Sequence, residues 1–212
     1  MKNLVLLWGW NRYENSYKEL VDLAPKDWKV HHFSYSKLMP SANIEELHQN
    51  ILSYIKKNKL KKIYLMGHSL GGSLALDFTA RYPQSVKKLF LSDSEGVYDN
   101  KPILSAFLHT VKAGTTSKNE IKKNLHGLVR TFKNPILHAK LGWHAHHIDL
   151  QKEASSLKVP TLILWGEKDK VTPLWQGQKL HDLISNSKLV VLKDLGHDWV
   201  ILQPQKFWES IT

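Results

Sequence analysis

Two short runs of uninterrupted apolar residues, Ile63–Met66 and Leu162–Trp165, constrain the fold of this chain more than any other feature. A strand with one face in water alternates apolar and polar residues, so a continuous apolar run of this length indicates a strand covered on both faces. Strands of that kind belong to parallel sheets that carry helices on each side. The sequence therefore predicts a layered α/β fold.

Further apolar runs alternate with helical patterns, as repeated strand–helix units do. The six predicted strands are Leu4–Trp8, Trp28–Phe33, Lys62–Met66, Lys88–Leu91, Thr161–Trp165 and Lys188–Leu192. The predicted helices between them are Asn43–Ile55 with Ser41 as its N-cap, Leu70–Tyr82, which ends before Pro83, and Pro173–Ile184, which has proline in its first turn.

One stretch interrupts the alternation. From 96 to 155 the sequence contains no convincing strand and only three helix-like segments, at 102–113, 117–133 and 135–153. This is too long for a connection within a compact sheet, so we predict a helical cap insertion. The chain of 212 residues is long enough for one sizeable core. We assign residues 1–95 and 156–212 to that core.

The third predicted strand runs into Gly67-His68-Ser69-Leu70-Gly71-Gly72 and then into a helix. The pattern G-x-S-x-G at a strand-to-helix junction is typical of a nucleophile elbow. Larger flanking side chains would clash in so tight a turn, and the serine is expected in a strained backbone conformation with its hydroxyl exposed. The Leu70 N–H points into the same space from the positive end of a helix. The alternative is a glycine-rich turn whose serine has no catalytic role.

A serine nucleophile needs a base to take its proton, and the base needs an acid to fix its tautomer. His197 follows the sixth predicted strand and Asp169 the fifth, so both would lie with Ser69 at the carboxyl edge of a parallel sheet. The chain order Ser, Asp, His is the one expected after such an elbow. Asp93, after the fourth predicted strand, is the alternative orienting acid, and Asp198 is interpreted as a surface or capping residue.

These residues give the chain a resemblance to the α/β-hydrolase-fold serine hydrolases that runs nearly end to end. The matching stretches are Leu6-Leu7-Trp8-Gly9-Trp10, the GHSLGG turn, Val159–Asp169 and Gly196-His197. Within the family the chain looks most like small carboxylesterases, including the pimeloyl acyl-carrier-protein methyl ester esterases. The resemblance implies an α/β-hydrolase fold with a minimal, mostly parallel six-stranded sheet in the order 2-1-3-4-5-6, flanked by helices, with a small helical cap.

The resemblance also implies roles for single residues. Ser69 would be the nucleophile, His197 the base and Asp169 the orienting acid. The first and third strands are neighbours in the implied order, so the loop after the first strand would face the elbow. The backbone N–H groups of Trp10 and Leu70 would then form the oxyanion hole.

The chain departs from the family pattern in places that bear on specificity. Trp8 stands where the family usually carries a histidine before the glycine of the oxyanion turn, which keeps the backbone donor but changes the support of the loop. Ser34–Pro40 replaces the usual glycine-rich segment after the second strand, and the strands that commonly precede the oxyanion strand are missing.

Aromatic and histidine-rich stretches suggest a pocket rather than a metal site. Trp10, Trp143 and Trp199 adjoin the catalytic turns or the insertion and are candidates for an aromatic substrate pocket. In Trp143–His147, no three potential ligands share one face of a helix, so a cap surface that lines a pocket is favoured over a metal centre. No metal and no organic cofactor is implied.

The expected activity is hydrolysis of a small-molecule carboxylic ester through an acyl-enzyme on Ser69. Lactone, thioester or carbon–carbon bond hydrolysis by the same residues remains an alternative, as does a non-catalytic ligand-binding relative of the fold. The sequence identifies neither the substrate nor the oligomeric state.

Charge and the first residues of the chain bear on partners and compartment. The net charge is +11, and the 30 basic residues comprise 27 lysines and only three arginines (Arg12, Arg81 and Arg130). Base reading relies on the planar fork of arginine, so a solvated lysine surface is favoured over a nucleic-acid site. An acidic carrier protein that docks through the lysines is kept as an alternative partner. No apolar run reaches the ~18 residues of a membrane span. Leu4–Trp8 is short for a signal-peptide core and no small-residue cleavage site follows, so we expect a cytoplasmic protein.

The chain contains no cysteine, which excludes disulfide bonds, zinc thiolate sites and cysteine nucleophiles.

Overall fold

The structure, a computed structural model, describes residues 1–10, 12, 14–41, 43–98 and 134–211. The strands are β1 Lys2–Leu7, β2 Trp28–His32, β3 Ile63–His68, β4 Val86–Ser92, β5 Thr161–Gly166 and β6 Ser187–Leu192. The α-helices among the described residues are α1 Lys18–Asp22, α2 Tyr35–Leu38, α3 Ile44–Lys57, α4 Leu70–Arg81, α5 Pro135–His147, α6 Gln151–Ser156, α7 Leu174–Leu183, α8 Trp199–Leu202 and α9 Gln205–Ile211. Short 3₁₀ turns lie at Glu14–Tyr17 and Pro83–Ser85.

The six strands form one sheet in the order β2-β1-β3-β4-β5-β6, and every neighbouring pair is parallel. The predicted strands and their order are therefore confirmed. Because all strands run the same way, the segments after β1, β3, β5 and β6 lie at one edge of the sheet. That edge carries Trp10, Ser69, Asp169 and His197.

The middle of the sheet is the core of the molecule. The side chains of β5 are all buried, and β3 is buried except for the partly exposed Tyr64. Helix α4 packs against β1, β3 and β4, whereas α7 packs against β5 and β6. The amphipathic helix α3 buries Leu47, Ile51 and Ile55 and exposes the lysines of its last turn. These layers give the two-sided burial that the apolar runs predicted.

Two details of the helices differ from the sequence prediction. The N-cap of α3 is Asn43, whose side chain accepts a hydrogen bond from the Glu45 N–H at 2.9 Å. Ser41 does not cap the helix, since its N–H instead donates to the Glu46 carboxylate at 2.9 Å. Either residue type can cap a helix, and only the path of the chain decides which one does.

The predicted helix at 135–153 is also wrong in its extent. Helix α5 ends at His147, the backbone of Ile148 is extended, and a separate α6 begins at Gln151. The predicted segments 102–113 and 117–133 lie outside the described residues, so the bounds of the cap stay a prediction. None of the helices in the described ranges is long and apolar enough to cross a membrane.

Candidate active site

Ser69 lies in the sharp turn between β3 and α4. Its backbone has φ 55° and ψ −124°, a strained conformation for a residue other than glycine. A Cβ atom on Gly67 would lie 2.1 Å from the Gly71 carbonyl oxygen, so only glycine fits at that position. The turn therefore has the local geometry of a nucleophile elbow.

Ser69 is largely buried by the segments that surround the turn. Ser69 as a whole residue is only 6% exposed among the described residues, and the exposure of its hydroxyl stays a prediction. The turn after β1 packs over it, because a Cβ built on Gly9 would lie 3.4 Å from the Ser69 Cβ. Leu7 of β1 lies opposite Gly67 of β3 in the parallel register, which brings that turn to the elbow.

Ser69, His197 and Asp169 form one line of hydrogen bonds. The distance from Ser69 Oγ to His197 Nε2 is 3.0 Å, and the distance from His197 Nδ1 to Asp169 Oδ2 is 2.7 Å. Because the carboxylate can only accept, Nδ1 carries the proton and Nε2 is left to accept from the serine hydroxyl. This arrangement can deprotonate the serine when a substrate is attacked.

The loop after β5 fixes the Asp169 carboxylate. Its Oδ1 accepts from the N–H groups of Val171 and Thr172 at 2.7 and 3.0 Å, and its Oδ2 lies 2.7 Å from Thr172 Oγ1. The oxygen that meets His197 is thus held by the turn that leads towards α7. Sequence reasoning did not single out Thr172, although it lies within the motif that contains Asp169.

Burial and charge act in opposite directions on the pair. Burial alone would lower the pKa of His197, but the Asp169 charge and its hydrogen bond raise that pKa to about 9. Burial alone would raise the pKa of Asp169, but the same contact and the Thr172 hydrogen bond hold it below its usual value. The acid therefore stays ionised and stabilises the imidazolium that forms when His197 takes a proton.

Asp93, the alternative orienting acid, lies in the same buried cluster but has other partners. Its Oδ1 accepts from the Gly166 N–H at 2.8 Å, and its Oδ2 accepts from the Trp199 indole N–H. Burial, followed by the nearby negative charge of Asp169, raises the pKa of Asp93. It is Asp169, not Asp93, that is hydrogen-bonded to the His197 ring among the described residues.

The metal-binding potential of this cluster follows from the same contacts. Ligand atoms of Asp93, Asp169 and His197 lie within 4.8 Å of one another. Their lone pairs, however, already accept hydrogen bonds from Gly166, Trp199 and the loop after β5. The contacts among these groups are those of a hydrogen-bonded relay from Asp169 through His197 to Ser69.

Asp198 has a different environment from the one predicted. It occupies the N-cap position of α8, but its carboxylate makes an ion pair with Arg12 at 2.6 Å instead of capping the helix. Both side chains are largely buried, with 14% and 15% exposed. This pair joins the turn after β1 to the loop that carries His197.

The three candidate pocket tryptophans lie in different environments. Trp10 donates its indole N–H to the His138 carbonyl of α5 at 3.2 Å. Trp143, on α5, is 63% exposed, stacks on His147 and lines a cavity of about 720 Å³ with Met39 and Leu141. Trp199 is 1% exposed and lies in the core beneath Asp93. The structure therefore does not bring the three side chains together.

Sequence reasoning missed several groups around the elbow. Tyr17 and Tyr35 are buried beside the turn after β1, and the His68 ring bonds to the Tyr17 hydroxyl. Glu95 donates its N–H to the Ser69 carbonyl at 3.2 Å, and burial raises the pKa of its carboxyl to about 8. These residues lie in no recognisable motif, apart from His68 within the elbow itself, so no local signal could have identified them.

Comparison with known proteins, like the geometry of the site, indicates a hydrolase. A family model described as "Serine aminopeptidase, S33" matches residues 40–201. The chain is 26% identical to monoacylglycerol lipase ABHD6 of Bos taurus in an alignment of 246 positions, gaps included, that covers 96% of this chain and 72% of that protein. It is 25% identical to the pimeloyl-[acyl-carrier protein] methyl ester esterase of Vibrio vulnificus in an alignment of 240 positions, gaps included, that covers 99% of this chain and 92% of that protein.

A solved structure supports the fold. MGS-MChE2, an α/β hydrolase enzyme from a metagenome of lagoon sediments, superposes with a TM-score of 0.70 at 22% identity, over 99% of this chain and 88% of that one. The alignments with the first three curated relatives that the chain matches span 65%, 72% and 51% of those proteins. Relatives of this kind include lipases and esterases.

Proposed function

Because this chain belongs to the α/β-hydrolase family described as serine aminopeptidase, S33, we propose that it is a serine hydrolase that cleaves carboxylic esters. The observation that carries the proposal is the line of hydrogen bonds from Ser69 Oγ through His197 to Asp169, at 3.0 and 2.7 Å, on a serine with positive φ. These three residues are the proposed catalytic residues.

The reaction proceeds in two steps. In the first, Ser69 Oγ attacks the ester carbonyl while His197 Nε2 takes the hydroxyl proton, and the alcohol leaves with that proton to give an acyl-enzyme. In the second, water attacks the acyl group, His197 again takes and returns a proton, and the carboxylic acid is released. Asp169 keeps Nδ1 protonated in both steps.

The oxyanion of each tetrahedral intermediate is proposed to bind the N–H groups of Trp10 and Leu70. The contact of Gly9 with the elbow supports this assignment, since it brings the turn after β1 against Ser69. Leu70 is the first residue of α4, where N–H groups point out of the helix. The loss of one such donor typically reduces the rate by about 10²–10³-fold.

The ester class is supported by the relatives. The monoacylglycerol lipase and the methyl ester esterase both carry ester substrates in their names, and the second aligns with nearly the whole of this chain. Trp143 lines a mainly apolar cavity beside α5, but Ser69 and His197 are not among the described residues that line it, so its use as an acyl pocket is left to the substrate panel. The family description adds a peptide-type amide as the rival substrate class.

A substrate panel tests the proposal. Wild type and Ser69→Ala are compared on p-nitrophenyl esters of increasing chain length, a lactone, a thioester and an aminoacyl p-nitroanilide. We expect ester turnover by wild type and none above background by the variant. Turnover of the anilide alone would move the activity to amide hydrolysis, and ester turnover that survives in Ser69→Ala would overturn the proposal.

A further inference from the structure

The peptide unit between Trp8 and Gly9 is held on both sides by buried tyrosine hydroxyls. The Gly9 N–H donates to Tyr17 Oη at 3.0 Å, and the Trp8 carbonyl accepts from Tyr35 Oη. Tyr17 is 1% exposed and Tyr35 7%. Two fixed partners on opposite edges of one peptide define the orientation of its plane, because the peptide bond itself does not rotate.

The proton positions along these hydrogen bonds follow from the number of donors and acceptors that each group has. Tyr17 Oη accepts from Gly9, so its single proton goes to the other neighbour, His68 Nδ1, at 2.7 Å. His68 Nδ1 must then be unprotonated, and its Nε2–H donates to the His197 carbonyl at 3.0 Å. A neutral His68 accepts the Tyr17 proton in this way, whereas a charged ring would donate from Nδ1 to Tyr17 Oη and leave the tyrosine proton without a partner among these contacts.

The surroundings keep His68 in that form. The residue is 1% exposed, and burial together with the neighbouring His197 lowers the pKa of His68 to about 3. A continuous path therefore runs from the Gly9 N–H through Tyr17 and His68 to the backbone of His197. It joins the turn after β1, the elbow and the histidine loop, which are three separate segments of the chain.

The side chain of Trp8 does not support this turn through a hydrogen bond among the described residues. Its indole nitrogen is buried and has no hydrogen-bond partner within the part of the chain that the structure describes. The two tyrosines are the groups that bond to the peptide after Trp8. The Trp10 N–H, the proposed oxyanion donor, belongs to the next peptide, whose Gly9 carbonyl accepts from the Arg12 N–H at 3.2 Å. Its direction therefore depends on this bond and on how the preceding peptide is held.

We propose that Tyr17 and Tyr35 are positioning residues that clamp the Trp8–Gly9 peptide and so hold the Trp10 N–H in place for the oxyanion. Neither hydroxyl touches the substrate. The inference rests on the proposed esterase function, since it concerns an oxyanion that only acyl transfer creates.

The test removes each hydroxyl singly, as Tyr17→Phe and Tyr35→Phe. Tyr64→Phe is the matched control, because it deletes the same atom from a tyrosine of β3 that packs against Trp28 and Phe90 instead. Two inhibitors of equal chain length are compared. Hexylboronic acid forms a tetrahedral adduct on Ser69 that places an oxygen in the oxyanion hole, whereas 1-hexanol has no such oxygen.

We expect kcat to fall about 10-fold to 100-fold in each clamp variant with KM changed by less than about twofold, which marks a loss confined to the transition state. The Ki for the boronic acid should rise by a similar factor and the Ki for hexanol should not. The ratio of the two Ki values does not depend on how much of the variant is folded, so partial unfolding cannot imitate the effect.

A second measurement uses the wild type alone. The ¹⁵N shifts of the His68 ring should show a neutral, Nε2-protonated imidazole between about pH 5 and pH 9, across the range where an ordinary histidine titrates. An Nδ1-protonated or charged ring would overturn the clamp, as would an unchanged Ki ratio in both variants of an active enzyme. A wild type without ester turnover would instead overturn the proposed function.

Discussion

His197 lies between an acid and a hydroxyl, and its protonation state decides whether it can accept the proton of Ser69. Burial favours the neutral ring, but the charge of Asp169 at 2.7 Å outweighs burial and raises the pKa of His197 to about 9. The base form exists above that pKa. Activity in the free enzyme is therefore expected to rise with pH towards the alkaline range.

Asp169→Asn tests this balance. The neutral amide removes the charge that opposes burial, so the acid limb of the kcat/KM profile should move to lower pH. At the same time kcat should fall by about 10³–10⁴-fold, because the asparagine can stabilise the wrong tautomer of His197. The profile is measured between about pH 6 and pH 10 with an activated ester.

The control for this variant is Asp182→Asn, which changes an exposed aspartate on α7. This variant should change neither the acid limb of the kcat/KM profile nor kcat relative to wild type. If the acid limb of the kcat/KM profile of Asp169→Asn lies at the same pH as in wild type, the charge of Asp169 is not the cause of the raised pKa of His197.

At the scale of elements, the elbow depends on the close approach of α4 to β1. A Cβ on Gly71 would lie 2.2 Å from the Leu7 carbonyl oxygen and 2.5 Å from the Trp8 carbonyl oxygen, both of them backbone atoms. Neither carbonyl oxygen can move without shifting β1 or the turn that follows it. The same contact sets the distance between the elbow and the turn that carries the proposed oxyanion donor.

Gly71→Ala should therefore reduce the free energy of unfolding by about 3 kcal/mol, as overpacking against rigid backbone does. Urea unfolding measures the loss. Gly142→Ala is the matched control in α5, where the new Cβ would meet the Trp10 ring at 3.4 Å and a helix-interior glycine is replaced. That variant should gain up to about 1 kcal/mol. Equal stability of the two variants would contradict the close approach.

The elements themselves were largely predictable, and the exceptions have physical reasons. A continuous apolar run such as Leu162–Trp165 is typical of a strand buried on both faces, and the alternation of apolar runs with helical patterns predicted the six strands. Their order in the sheet was predicted from the resemblance to the family and is confirmed. The break after His147 has no proline or glycine to mark it, so the periodicity continued past the end of α5. The N-cap of α3 is Asn43 and not Ser41, and the residue types alone could not distinguish the two because both are good N-caps.

For the candidate site, local motifs identified residues but not their support. Ser69, Asp169 and His197 each follow a predicted strand, so the parallel sheet alone brings them to one edge. Tyr17 and Tyr35 reach the turn after β1 through tertiary contacts that no spacing in the sequence reveals. The catalytic roles of all these residues stay predictions until activity is measured.

At the scale of the whole molecule, two parts of the lysine surface lie at opposite ends of the sheet relative to the site. The densest run, Lys56–Lys62, lies around the end of α3 and the start of β3, whereas Ser69 follows the other end of that strand. Six residues of strand separate them by about 20 Å. Lys170 and Lys193, by contrast, are exposed in the loops after β5 and β6, at the edge that carries His197.

If an acidic carrier protein delivers the ester, it should dock at the second part. We expect Lys170→Glu with Lys193→Glu to lower turnover of a carrier-bound methyl ester about 10-fold, and Lys57→Glu with Lys59→Glu to leave it unchanged. Wild-type turnover of the carrier ester should also fall between about 0.05 M and 0.5 M salt. Turnover of a p-nitrophenyl ester is the internal control. A flat salt response on the carrier ester would contradict carrier docking.

The central claim is that Ser69 carries the acyl group during turnover. The most direct measurement is the intact mass of the protein after brief mixing with an activated ester, followed by peptide mapping of the adduct and, in parallel, labelling with a fluorophosphonate probe. The account predicts one acyl group and one phosphonyl group per chain, both on Ser69, and neither in Ser69→Ala. Folded wild type that takes up no label, or an adduct on another residue, would contradict it.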